Sequence, residues 1–415
     1  MADDLMAQRR FGWRDSGQTV ALAWPILWPR ILKYAVIAIA ALYVSGMAAR
    51  VYARKYYVFL PDYIRWTASP SPSAAGTTHV FFLFTDHFEP DYDADRVRDW
   101  GARYRLLASR HRDSDGRPPQ HTFFYPGEQG TPDIFNALRD LVESGFGEVE
   151  LHYHHDFDTV QTFRQKLEAA IVEFQRYGFL KTVDGQTCFA FIHGNWGLDN
   201  SNGATKCGVN QELRLLREVG CFADFTFPSI YEDAQPPFVN TIYAAKDDEN
   251  PKSYARQLPL SALDDGSADL MIFQGPLIFS PSLKASRLFL DLDDGNIHAA
   301  VPASPARVDR WIRANVHVAS RPEWVFVKVH AHGVSTPEDA NAVLGPGFDA
   351  ALSYLEQKYN DGQRYRLHYV TAREASNLAR AAAAGATGDP HAYFDRPIPP
   401  YVAHPLRRWT PYPDN

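Results

Sequence analysis

A chain of 415 residues with 45% hydrophobic and 22% charged residues has the composition of a globular protein and length enough for one large packed domain plus appendages. Its net charge of -7 and pI near 6.1 supply no clustered Lys and Arg to neutralise phosphates, which sets nucleic acid aside as a partner. Three cysteines, Cys188, Cys207 and Cys221, match no zinc ribbon or finger by spacing, and an odd count argues against a disulfide framework, though a Cys207–Cys221 bridge stays open.

Residues 1–30 form a polar-basic leader. The next segment, 31–52, contains the uncharged run Tyr34 to Ala49 between Lys33 and Arg50. Sixteen helical residues span about 24 Å, and Ile31, Leu32 and a snorkelling Lys33 extend this towards the roughly 30 Å of a hydrocarbon core. Trp24, Trp28, Tyr34 and Tyr52 stand where interfacial aromatics are expected, so the segment reads as a single membrane anchor. Basic residues lie on both sides, with a lean towards a cytoplasmic N-terminus that would leave the main domain periplasmic or extracytoplasmic. Residues 53–78, with the Pro/Ser-rich stretch Ala68 to Gly76, read as a linker.

From His79 the chain alternates apolar β-rich runs with amphipathic helical patterns. Strands are predicted at 79–85, 122–125, 148–152, 188–193, 223–227, 270–274, 324–330 and 365–370, and helices at 96–109, 132–144, 159–177, 210–219, 306–315 and 347–358. Strand then helix, repeated, implies parallel pairing through right-handed crossovers. Runs such as Phe81-Phe82-Leu83-Phe84 are apolar without alternation, as in strands covered on both faces. The expected fold is therefore α/β: an irregular (β/α) barrel of seven or eight strands over residues 79–375, preceded by one transmembrane helix. An open doubly wound sheet is the alternative, but no Gly-rich phosphate loop follows the first strand. Proline-rich residues 228–300 read as a loop insertion over the barrel mouth with a hairpin at Leu288 to His298, and 376–415 as an Ala/Pro-rich tail, disordered or lying as an arm on the barrel.

The chemistry concentrates where apolar runs end. Residues 150 to 158, Glu-Leu-His-Tyr-His-His-Asp-Phe-Asp, put His152, His154, His155, Asp156 and Asp158 in one stretch. Val80 to Phe84 runs into Thr85-Asp86-His87-Phe88-Glu89-Pro90, and Trp324 to Val329 into His330-Ala331-His332-Gly333. A lone histidine is more often a surface or core residue than a ligand. Imidazole and carboxylate together at the ends of three strands instead favour one shared divalent metal, zinc foremost, or an acid/base site at the carboxyl ends of parallel strands. Nine Trp and 21 Tyr leave rings for sugar stacking or for core packing.

In this order the motifs resemble the polysaccharide deacetylase superfamily, the glycoside hydrolase/deacetylase (β/α) barrels that remove acetyl groups from glycans with one divalent metal. The resemblance covers roughly residues 79 to 372. Phe84-Thr85-Asp86-His87 occupies the place of the family's Thr-Phe-Asp-Asp element, which implies Asp86 as base or ligand and His87 in place of the second carboxylate. The family's paired metal-binding histidines correspond to His152 and, at i+4, Asp156, with His154 and His155 between them. His193, Asn195, Trp196 and Asp224 fall where the family places substrate-shaping groups, and the family's general acid maps to His330 or His332. The resemblance implies a membrane-anchored deacetylase acting on a carbohydrate or polysaccharide. A glycoside hydrolase working through carboxylate pairs such as Glu89 with Asp91, and a non-catalytic glycan-binding or assembly protein of exopolysaccharide biosynthesis, are the other two readings.

Overall fold

Strands whose two faces are both apolar need cover on both sides, and the chain provides it with helices on one face and a second apolar layer on the other. The computed structural model describes residues 24–69, 76–180, 182–183, 185–282, 288 and 290–401; residues 1–23 of the leader, 70–75 of the linker and 402–415 of the tail lie outside it. Two compact units divide at Arg50 and Val51. The first is carried by the helix α1 (Trp24–Ala53), of which Pro29–Ala53 is long and apolar enough to cross a membrane.

In the second unit the elements run α2 (Leu60–Ala68), β1 (Thr78–His87), α3 (Ala94–Ala108), β2 (His121–Pro126), α4 (Pro132–Glu143), β3 (Gly147–Tyr153), α5 (Val160–Arg176), β4 (Thr182–Val183), β5 (Gln186–Thr187), β6 (Phe189–His193), α6 (Glu212–Glu218) and β7 (Cys221–Asp224). There follow β8 (Ile242–Ala245), β9 (Leu270–Phe273), β10 (Ile278–Pro281), β11 (Leu290–Asp293), β12 (Asn296–Ile297), α7 (Pro305–Ala314), β13 (Val316–Val318), β14 (Arg321–Ala331), α8 (Pro337–Leu344), α9 (Pro346–Lys358), β15 (Tyr365–Tyr369) and α10 (Ala372–Ala383). Polar caps start the helices where the sequence offers them: Asp93 accepts from the amides of Asp95 and Arg96, while Thr159 and Thr371 form capping boxes with Thr162 and Glu374.

The central sheet has the order β12-β14-β1-β2-β3-β6-β7-β9-β8 and is parallel except at β8, which runs antiparallel to β9. The β13 strand pairs antiparallel with β14, β15 pairs with the first half of β1, and an isolated bridge joins Thr241 to His317. Side chains alternate between two layers. Phe82 and Phe84 of β1, Val149 and Leu151 of β3, Phe191 of β6 and Val329 of β14 pack with Trp100, Leu138 and Phe163 of the helices. Phe81 and Leu83 of β1, Ile192 of β6 and Phe326 of β14 instead fill the other layer, with Phe124, Phe225 and Phe273.

Two expectations change shape here. Within 53–78, Tyr56, Phe59 and Tyr63 are buried against Val239 and Leu277, so this stretch is folded rather than a free spacer. The insertion 228–300 gives β8 and β9 to the main sheet, and its hairpin pairs Ile278–Pro281 with Leu290–Asp293 rather than lying within 288–298. Residues 390–401 form an arm on the domain: Arg373 donates to the carbonyls of Phe394 and Ile398, and the Tyr401 hydroxyl to Glu150. Cys207 and Cys221 are free thiols, so the Cys207–Cys221 bridge is not formed.

Candidate metal centre

Every parallel strand points its carboxyl end the same way, so residues at the ends of β1, β2, β3 and β14 meet without being near in sequence. Glu89, two residues past β1, is the hub. Its Oε1 lies 2.9 Å from Nε2 of His152, 3.7 Å from Nε2 of His154 and 3.9 Å from Nε2 of His332. His87, the last residue of β1, is buried between the rings of His152 and His332, at centroid distances of 4.8 and 4.5 Å, and stacks on Trp196. Two overlapping groups with ligand atoms in reach of one ion result, His87 with Glu89 and His332, and Glu89 with His152 and His154.

Hydrogen bonds on the far sides of these rings decide what the near sides offer. Nδ1 of His152 faces the carbonyl of Ile192 at 3.1 Å and so must carry a proton, which leaves the Nε2 lone pair of a neutral ring towards Glu89. Nδ1 of His154 donates to Glu128 at 2.6 Å with the same consequence for its Nε2. This carboxylate-to-imidazole support is the arrangement that orients metal-binding histidines. Burial outweighs the pull of Glu89 and holds the pKa of His152 below its ordinary value. A neutral imidazole lone pair facing a carboxylate oxygen at 2.9 Å is repulsive, and a cation between them removes the repulsion.

Charge follows the same logic elsewhere in the cluster. Burial, then the neighbouring His332, His152 and His330, hold His87 well below the usual imidazole range. Burial pushes the Glu89 carboxyl up, but the adjoining His152 ring and, after it, His332 and His154 outweigh this and hold it low. His154 is the exception: burial disfavours its charge, yet Glu128 raises it. Nδ1 of His87 and of His330 have no hydrogen-bond partner among the described residues. The site is reached from solvent past His154 and His332, whose side chains are 31% and 38% exposed.

Strand pleating sorts the other expected residues. Asp86 sits one position before His87 and therefore on the helix-facing layer, where its carboxylate accepts from Nε2 of His121 at 2.9 Å and from the amide of Gly333 at 2.7 Å. It stands apart from the ion-holding groups. Asp156 is exposed on the turn after β3. His330 is buried behind Trp196, whose ring meets it edge-on. Asn195 turns its side chain away to donate to the carbonyl of His155 at 2.8 Å. Asp224 bonds to Thr226, and burial raises its pKa while lowering that of the adjacent Lys328, whose ammonium caps the carbonyls of Phe225 and Phe227.

No model of a known protein family matches this chain, and no curated protein matches it. The functional reading therefore rests on the site itself. His155 and His193 leave the first cluster for a second, entirely buried one with Cys207 and Glu212. A third group, Asp115 with His368 and His391, joins the arm to the chain, both rings bonding one oxygen of Asp115. Sequence reasoning passed over Glu128, Cys207 and Glu212, and weighed Glu89 only as a glycosidase carboxylate. Glu128 carries the same strand-end signal as the others, two residues beyond β2, whereas Cys207 and Glu212 arrive through a long loop and carry none.

Proposed function

We propose that this chain is a membrane-anchored, metal-dependent hydrolase of acetylated carbohydrate, a divergent relative of the polysaccharide deacetylases. The observation that carries the reading is the convergence of His152, His154 and His332 on the Glu89 carboxylate at the carboxyl ends of parallel strands. In this reading the sheet is an irregular barrel, with the Thr241–His317 bridge at its seam, and α1 spans the bilayer. Glu89, His152 and His154 would hold the ion, and a nitrogen-rich set with one carboxylate favours zinc. Such an ion, when bound, lowers the pKa of a water ligand and polarises an acyl carbonyl.

The protein's own groups do the rest. His332, partly exposed at the rim, takes the proton from the attacking water and returns it to the leaving amine or alkoxide, an exchange worth typically about 10² to 10⁴-fold. With its carboxylate bonded to His121 and Gly333, Asp86 props the end of β14 rather than acting as base. Trp196, half-buried over His87, offers an indole against which a sugar ring can stack.

Acetate release from N-acetylated and O-acetylated oligosaccharides, before and after chelation, tests the reading. The expected result is release that disappears on chelation, returns with zinc, and falls at least about 100-fold in H332A while metal content is kept. Release that is indifferent to chelation, or its absence with every acetylated substrate in zinc-loaded protein, overturns it.

A further inference from the structure

We propose a second, structural metal site of zinc type, with His155, Cys207 and Glu212 as its direct ligands. It lies on the helix-facing side of the sheet, behind the first cluster, and stands independently of the hydrolase reading. The ligand atoms of His155, His193, Cys207 and Glu212 all fall within 4.8 Å of one another, and all four residues are buried. Nε2 of His155 is 3.3 Å from Oε1 of Glu212, and Sγ of Cys207 is 3.3 Å from Oε2.

The carboxylate at the centre, Glu212, has no cationic side chain bonded to it, whereas the outer Asp158 is paired with Lys166 at 2.7 Å. Among the described residues no lysine or arginine bonds to the fully buried Glu212; its partners are the Asp199 amide, the Cys207 thiol and the two imidazoles. A buried carboxylate without a cation is costly, and a divalent ion removes the cost. His155 faces a second carboxylate, Oδ2 of Asp158, at 3.2 Å from Nδ1. A proton on Nδ1 faces this carboxylate, which Lys166 and Thr162 already bond, and leaves Nε2 free to ligate.

His193 plays a different part. Its Nδ1 accepts from the amides of Asn195 and Gly197, which fixes the proton on Nε2 and turns that N–H towards Glu212, 3.8 Å away, with no hydrogen-bond partner among the described residues. With its lone pair taken up by the two amides, it does not ligate. The chain is also built for the close approach: Gly208 has φ +101°, and a Cβ there would lie 2.6 Å from the Asp158 carbonyl oxygen. Phe163 stacks on the His155 ring at 3.6 Å. Loading releases the Cys207 thiol proton to solvent and leaves a thiolate on the ion. Because His154 adjoins His155, the second ion fixes the turn that presents His154 to the first cluster.

Full-length protein in detergent, loaded with zinc, is measured by X-ray absorption at the zinc edge, and then loaded with cobalt(II) for near-ultraviolet spectra. The expected result is a sulfur neighbour at the zinc and a thiolate-to-cobalt charge-transfer band, both kept in H152A and lost in C207S along with one metal equivalent per chain. Absence of sulfur scattering and of the band in the metal-saturated natural protein overturns the proposal without recourse to any variant. So does a band that survives C207S.

Discussion

Single side chains at the rim are held by contacts that a small change would break. A Cβ on Gly194 would lie 2.4 Å from Cδ2 of His154, so that ring could keep its place beside Glu89 only with glycine there. G194A is expected to leave the fold intact and to weaken zinc binding at the first cluster by about 10 to 100-fold, the usual cost of disturbing a ligand's support, as read by competition with a chromophoric chelator. Asp86 gives the opposite forecast. Its bonds to His121 and Gly333 are buried, so D86N should lower unfolding free energy by about 1–3 kcal/mol and leave metal content unchanged. Loss of metal in D86N with stability retained would return this residue to the ligand set.

Among the packed elements, β11 and α7 are tied by one carboxylate. Asp293 at the end of β11 accepts from Arg307 at 3.0 and 2.8 Å, from Arg310 at 3.0 Å and from the Trp311 indole at 3.0 Å. Burial raises the Asp293 carboxyl pKa, but these partners outweigh it and hold the group below its ordinary value. A depressed acid stabilises the folded state above the pKa it has when unfolded, and that stability is lost as pH falls through the folded value. D293N is therefore expected to cost about 3–5 kcal/mol near neutral pH by stranding Arg307, and to flatten the acid limb of a denaturation-against-pH curve. The segment before β1 makes a second case. Phe59 is buried with Tyr56, Tyr63, Val239 and Leu277, so F59A should lose about 3–5 kcal/mol by chemical denaturation, which a detached linker would not.

For the molecule as a whole, the apolar helix and the folded unit have separate consequences. The full chain is expected to partition with detergent or vesicles through Pro29–Ala53, and a chain beginning at Val51 to remain in the aqueous phase with the same thermal transition. A truncated chain that still sediments with vesicles would place membrane affinity on the folded unit instead.

The strand and helix rhythm was readable along the chain, because parallel strands covered on both faces form unbroken apolar runs between amphipathic helices. The same reading found the apolar helix and most of the rim imidazoles, since a strand's carboxyl end is a position along the chain. Facing was hidden for the very reason the strands were visible. In Phe81-Phe82-Leu83-Phe84 nothing alternates, so nothing in the letters tells which of Asp86 and His87 turns to the rim and which to the helices. Pairing across the sheet settled that, sending His87 and His152 to one side and Asp86 and His193 to the other. The meeting of Cys207 and Glu212 with His155 was likewise decided by packing alone, because their nearness depends on how a long loop closes rather than on any period in the sequence.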